Sequence, residues 1–200
     1  MNRIVDVPPR FAIVPEGAEP PAARVPILIE KSGAFGDGSH PTTLVCLQAV
    51  GALAPREGAL WSMLDFGSGT GVLAIGAAKL GARSAVGVEI DEEALATAAR
   101  NAELNGVEGR VTFRRTLPEA RYELVVANIL RSVLVRFASE IAACVAAGGT
   151  LVLSGLTSTD VAEVSARYAR ELGDRRPEIY ERGEWRALAW RAVTKTTPSA

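Results

Sequence analysis

An open, doubly wound α/β sheet, seven-stranded and mostly parallel with an antiparallel C-terminal hairpin, is the fold this sequence predicts. Three observations predict it. From Pro41 onward, short apolar runs alternate with segments of helical spacing, the pattern of parallel strands joined by crossover helices. A glycine-rich stretch, Gly67-Ser68-Gly69-Thr70-Gly71, separates the first of those strands from its helix. At the end, two strand-like runs follow one another with no helix between them, which calls for an antiparallel closing pair.

Taken in order, residues 1–30 are proline-rich and irregular. Phe11-Ala12-Ile13-Val14 and Val25-Pro26-Ile27-Leu28-Ile29 read as two small strands forming a hairpin around the loop 15–21. Leu44, Leu47, Val50 and Leu53 give a helix from Pro41. A strand over 60–66 leads to a helix over 72–80, ended by Gly81. The next strand, 85–90, has Val86 and Val88 on one face and precedes a helix over 92–104, ended by Asn105-Gly106. Strands follow at 110–114 and 122–127, the second carrying Leu124-Val125-Val126-Ala127. A helix over 132–146 ends at Gly148-Gly149, and a strand over 150–154 leads to a helix over 159–172. The closing strands are 177–181 and 185–193. The organisation expected is an N-terminal extension over 1–33, one domain over 34–193 and a disordered tail over 194–200.

A chain of 200 residues accommodates one domain with a substantial core. Its 48 % hydrophobic and 22 % charged content places it among ordinary globular proteins. With a net charge of −1 there is no basic excess to hold nucleic acid or a membrane surface. No run reaches the roughly 20 apolar residues of a bilayer span, and Met1 to Asp6 lacks a leader-like apolar run. The expected location is therefore cytoplasmic. Cys46 and Cys144 lie in apolar contexts as buried thiols. With a single histidine, His40, they are too few ligands for a metal site.

Four stretches carry the chemistry. Asp65-Phe66-Gly67-Ser68-Gly69-Thr70-Gly71 leaves a strand and opens a helix, whose first N–H groups are free for a ligand. Its G-x-G-x-G spacing differs from the G-x-G-x-x-G of dinucleotide sites, and alone it also fits a plain turn. In Gly87-Val88-Glu89-Ile90-Asp91, Glu89 stands where a carboxylate accepts hydrogen bonds from both hydroxyls of a ribose. Asp91 reads as the cap of the following helix. Asn128 ends the apolar strand of Val125-Val126-Ala127-Asn128-Ile129-Leu130, where open α/β sheets bind ligands. Its carbonyl oxygen can orient an amine without adding charge, and its bland alternative is a helix cap. The loop Ser32-Gly33-Ala34-Phe35-Gly36-Asp37-Gly38-Ser39-His40-Pro41-Thr42-Thr43 offers an apolar face at Phe35 and a hydroxyl at Thr43. His40 invites a general-base role, but a hydrogen-bonded structural histidine is the expected one.

Together these stretches resemble class I methyltransferases. The loop from Ala34 to Thr43, with Asn128-Ile129-Leu130 and Leu153-Ser154-Gly155-Leu156, is similar to the ribosomal-protein methyltransferase (PrmA) family, which methylates a ribosomal stalk-base protein on amino groups. The likeness runs over residues 11–193. It implies a Rossmann-like class I methyltransferase fold with S-adenosyl-L-methionine as cofactor. It implies cofactor contacts at Thr43, Gly67, Glu89 and Asn128. Phe35 is expected near the methyl donor or the substrate amine, while Asp65, Ser68, Gly69 and Ile90 line the pocket. Asn128 is the catalytic candidate.

Three departures bear on the substrate. Asp37 stands where the family usually has threonine, and Glu89 where it usually has aspartate. The family's separate N-terminal substrate-capture domain is expected to be missing, since only 1–33 precede the signature loop. The activity expected is N-methylation of a protein amino group, lysine or N-terminal, on a ribosomal or other protein substrate, without direct nucleic-acid or membrane binding. A small-molecule N- or O-methyltransferase on the same core, acting for example on a small amine, is the alternative. A cofactor-binding protein without turnover and a nicotinamide dehydrogenase are the more distant readings.

Overall fold

In the computed structural model, residues 4–15, 17–30, 38, 40–55 and 60–193 are described. Strand β1 (Val5–Val7), strand β2 (Phe11–Val14) and strand β3 (Val25–Leu28) form a small three-stranded sheet. Helix α1 (Pro41–Leu53) follows. The main sheet begins with β4 (Ser62–Phe66), α2 (Val72–Lys79), β5 (Ser84–Val88), α3 (Glu92–Leu104) and β6 (Val111–Arg114). It continues with β7 (Tyr122–Asn128), α4 (Arg131–Arg136), α5 (Ala138–Ala143), β8 (Val145–Thr157) and α6 (Val161–Leu172), then closes with β9 (Glu178–Arg182) and β10 (Trp185–Val193).

The seven strands are ordered β6-β5-β4-β7-β8-β10-β9. Those from β6 to β8 are parallel, and β10 runs antiparallel to both β8 and β9. The predicted sheet is therefore present, closing hairpin included. After β4 the chain builds outward on one side, then returns to place β7 on the other. The topological switch point thus lies between β4 and β7, where open α/β sheets leave a crevice at the strands' carboxyl ends.

Successive side chains of a strand point to opposite faces, and the central strands are apolar on both. Met63, Leu124, Val126 and Val152 join a core with α1, α2 and the small sheet. Leu64, Val125, Ala127, Leu151 and Leu153 face a second core with α4, α5 and α6. The small sheet is part of the first core: Val7, Phe11 and Ile27 are fully buried there.

Several expectations need correcting. The N-terminal pair is not a hairpin, because β2 and β3 run parallel, with Phe11 opposite Val25 and Val14 opposite Leu28. The connection between them is long enough to bring the chain round, and the antiparallel neighbour of β2 is β1, a three-residue strand followed by prolines that the sequence pattern did not reveal. The helix expected over 132–146 is interrupted at Phe137, whose φ −98 and ψ 20 leave helical geometry. Its ring sits 6.0 Å from that of Phe66.

Strand β8 also begins five residues earlier than expected, at Val145, which pairs with Tyr122 before a register shift brings Leu124 opposite Thr150. Residues 142–147 are alanine-rich with Cys144 and Val145, so propensity favoured extending the helix and tertiary pairing overrode it. Smaller shifts place Leu60 outside β4 and exposed, and Ile90 beyond the end of β5. The tail 194–200 lies outside the described residues. Among the described residues, no helix is long and apolar enough to cross a membrane, and no group of three or more His, Cys, Asp or Glu is placed to hold a metal ion.

Candidate active site

The carboxyl ends of β4, β5, β7 and β8 meet the N-terminus of α1 at one edge of the main sheet. The loop after β4 is pinned to β5: Gly67 and Ser68 donate their backbone N–H groups to the Val88 carbonyl at 2.8 and 3.0 Å. Gly67 has φ 80, and a Cβ there would come within 2.3 Å of Ile129 Cγ2. Only glycine lets this turn sit against the segment after β7. Gly155 in β8 plays the same part on the other side. Its φ is 84, and a Cβ would lie 2.4 Å from the Ile129 carbonyl oxygen. Asn128 pairs with Ser154, whose hydroxyl donates to the Thr42 carbonyl at 3.3 Å. The glycine loop, the Asn128-Ile129-Leu130 segment and the start of α1 are therefore in one place.

The polar atoms at this edge are incompletely satisfied. Buried groups normally find hydrogen-bond partners, so each exception asks for an explanation. Among the described residues, four buried side-chain oxygens have none: Thr43 Oγ1, Asp65 Oδ1, Ser68 Oγ and Asn128 Oδ1. All four residues were singled out by the sequence, and all four stand at this edge. Asn128 is the last residue of β7, while Leu130 is the N-cap residue of α4. The helix-cap alternative for Asn128 therefore falls.

Asp65 is fully buried at the end of β4. Burial pushes its carboxyl up to about 7. The hydrogen bond that Oδ2 accepts from the Ala74 N–H, at 3.3 Å, opposes this rise, and the nearby Glu89 charge adds to it. Burial also raises the Cys46 thiol well above its ordinary value, and the Asp65 charge raises it further, which places this α1 residue near the carboxylate. Both cysteines are buried thiols, neither of them in a disulfide.

Glu89 follows β5 directly. Its Oε2 accepts from Gly69 N–H at 3.0 Å, and its Oε1 accepts from Ile90 and Asp91 N–H at 2.7 and 3.1 Å. A carboxylate has about four lone-pair positions, so capacity for a ligand hydroxyl remains. Ile90 and Leu130 are 78 % and 72 % exposed. They leave apolar side chains at the edge beside Glu89 and Asn128.

The remaining expectations divide cleanly. Asp91 caps α3, accepting from Glu93 and Ala94 N–H at 2.8 and 3.0 Å. His40 caps α1: its Nδ1 accepts from Thr42 N–H at 3.3 Å, and its ring lies edge-on to Trp185 at 5.1 Å. These are the structural roles expected of both. Phe35 and Asp37 lie outside the described residues.

One residue here went unmarked in the sequence: Asn101, a buried α3 residue bonded to the Thr70 carbonyl at 2.9 Å. Nothing in its alanine-rich surroundings distinguished it.

Comparison with known proteins agrees with this arrangement. The family model "Ribosomal protein L11 methyltransferase (PrmA)" matches residues 5–192. A ribosomal protein L11 methyltransferase of Geobacter sulfurreducens is 42 % identical over 82 % of this chain and 54 % of its own length. The enzyme of that name from Chromobacterium violaceum is 39 % identical over 96 % of this chain and 61 % of its own. The chain thus spans between about half and three-fifths of the length of these curated relatives. A crystal structure of ribosomal protein L11 methylase from Lactobacillus delbrueckii subsp. bulgaricus superposes with a TM-score of 0.82 at 26 % identity, covering 94 % of this chain and 98 % of that one. With its doubly wound sheet and with the glycine loop and Asn128 at the switch point, this chain belongs to the ribosomal protein L11 methyltransferase (PrmA) family.

Proposed function

We propose that this chain transfers a methyl group from S-adenosyl-L-methionine to an amino group of a ribosomal protein of the L11 type, using the residues of 34–193. One observation carries the reading. The buried oxygens that lack partners belong to residues at the carboxyl-end edge of the sheet: Asp65 and Asn128 on β4 and β7, Ser68 in the loop after β4, and Thr43 in the first turn of α1. Unpaired buried polar atoms each cost about 1–3 kcal/mol, and a polar ligand seated among them would remove that cost. The residues therefore fit a nucleoside-bearing, polar donor. Membership of the family supports methyl transfer as the use made of it.

When bound, the donor supplies a methyl group on positively charged sulfur, already activated toward displacement. The chain's own part is binding, alignment and exclusion of water. Glu89, held in place by three backbone N–H groups, presents its remaining lone pairs to the ribose hydroxyls. The backbone at Gly67, Ser68 and Gly69 forms the close floor, with Ile90 as an apolar wall. Thr43 and Asp65 offer an oxygen each to the polar end of the ligand. Asn128 Oδ1 accepts an N–H of the incoming neutral amine and so fixes the direction of its lone pair. The proton released on attack passes to water.

The test is incubation of the protein with the donor and a purified L11-type ribosomal protein, followed by intact-mass measurement. Whole-methyl increments on the acceptor, mapped to lysine or N-terminal amines, are expected. An unmodified acceptor, together with label from the donor appearing in small molecules of a lysate, would overturn the protein-substrate reading in favour of a small-molecule acceptor.

A further inference from the structure

The side chain of Asn101 joins two separate stretches of backbone. It is fully buried on α3. Its Nδ2 donates to the Thr70 carbonyl at 2.9 Å, and its Oδ1 accepts from the Glu30 N–H at 2.8 Å. Asn105, one turn further along, serves the edge of β3 instead: Oδ1 accepts from Leu28 N–H at 2.9 Å and Nδ2 donates to the Leu28 carbonyl at 2.7 Å.

The difference matters because of what surrounds Thr70. Gly67, Gly69 and Gly71 have φ 80, 50 and 80. Peptide planes between glycines rotate at little steric cost. Gly71 heads α2 without any side-chain cap. The plane joining Thr70 to Gly71 is held on its carbonyl side by Asn101, and on its N–H side by the Ser68 carbonyl at 2.8 Å. Glu89 holds the other end of the loop through Gly69 N–H. The loop is thus anchored by the Glu89 side chain just after β5 and by the Asn101 side chain on α3. A loop held before its ligand arrives spends less of the binding energy on ordering.

We propose that Asn101 is a positioning residue for the donor loop, pre-setting the 67–71 backbone through the Thr70 carbonyl and tying it to the segment after β3 through Glu30. This rests on the methyl-donor reading above. A merely structural Asn101 would lower stability alone.

Calorimetric titration with S-adenosylhomocysteine separates the two roles in three proteins: wild type, Asn101→Ala and Asn105→Ala, each first shown to be folded by circular dichroism. Asn101→Ala is expected to bind at least about tenfold more weakly, a loss of about 1.4 kcal/mol. Asn105→Ala, which loses comparable strand-edge bonds, is expected to change affinity by less than about twofold. In turnover assays Asn101→Ala should raise the donor KM while leaving kcat at saturating donor nearly unchanged.

Equal losses in the two variants, or none in Asn101→Ala, would overturn the inference while leaving the donor reading intact. Absence of binding by the folded wild type would overturn both. Should Asn101→Ala fail to fold, hydrogen exchange of the wild type decides. Ligand binding at the loop should slow exchange of the Glu30 amide by at least about tenfold, and an unchanged Glu30 amide would overturn the coupling.

Discussion

Asn128 illustrates what a single residue contributes here. It ends β7 with a side-chain carbonyl oxygen that is buried and unpartnered, two residues before the exposed Leu130. The role proposed for it, aligning the acceptor, would act on the transition state more than on donor binding. Asn128→Ala should therefore lower kcat by roughly 10²-fold while binding S-adenosylhomocysteine almost normally. Steady-state kinetics beside calorimetry checks this, and full turnover in the variant would remove Asn128 from the mechanism. Asp65 makes a different kind of prediction. Its carboxyl sits at about 7 in the folded chain against an ordinary 3.8. The folded state therefore holds a proton that the unfolded state has already released between those values. The stabilisation is complete below about 4 and is lost as pH rises through about 7, at up to about 1.4 kcal/mol per pH unit. Urea unfolding at about pH 5 and about pH 8 should show wild type losing a few kcal/mol relative to Asp65→Asn, which stays neutral throughout. A pH-independent difference between the two would contradict the buried, protonated carboxyl.

Elements were legible where their periodicity was unambiguous. The strands at β4, β5 and β7 and the helices α2 and α3 follow the sequence closely because apolar runs bounded by Gly or a capping Asp leave little choice. The misreadings share a cause, which is that neighbours distant in the chain decided the outcome. Val145 joins a strand because Tyr122 is beside it, and Phe11 pairs in parallel because Val25 is carried round to it. The small sheet is a load carried by the core rather than an appendage to it. Phe11 is fully buried in the core that holds α1 and α2, and its ring stands 3.3 Å from where a Cβ on Gly76 would be. Phe11→Ala should cost about 3–5 kcal/mol, read as a lower urea midpoint with an unchanged slope. A change below about 0.5 kcal/mol, the size usual at a surface site, would mean that this sheet is peripheral.

At the scale of the whole molecule, the site exists because the chain reverses its direction of sheet growth between β4 and β7. That reversal brings Asp65 and the glycine loop from one strand beside Asn128 from another, with Glu89 and Thr43 closing the sides. The sequence displayed each of these residues through local motifs. Their unpaired oxygens were invisible to it, because hydrogen-bond satisfaction depends on the folded neighbourhood. Asn101 was hidden for the same reason, since its partners lie 31 and 71 residues away. We propose that this edge of the sheet holds the methyl donor. Calorimetric titration of the wild type and Glu89→Ala with S-adenosylhomocysteine tests it most directly. Saturable binding at one site per chain, weakened at least about tenfold by the substitution, is the predicted result. A folded wild type that binds no S-adenosylhomocysteine, or binds it equally well without the Glu89 carboxylate, would contradict the account.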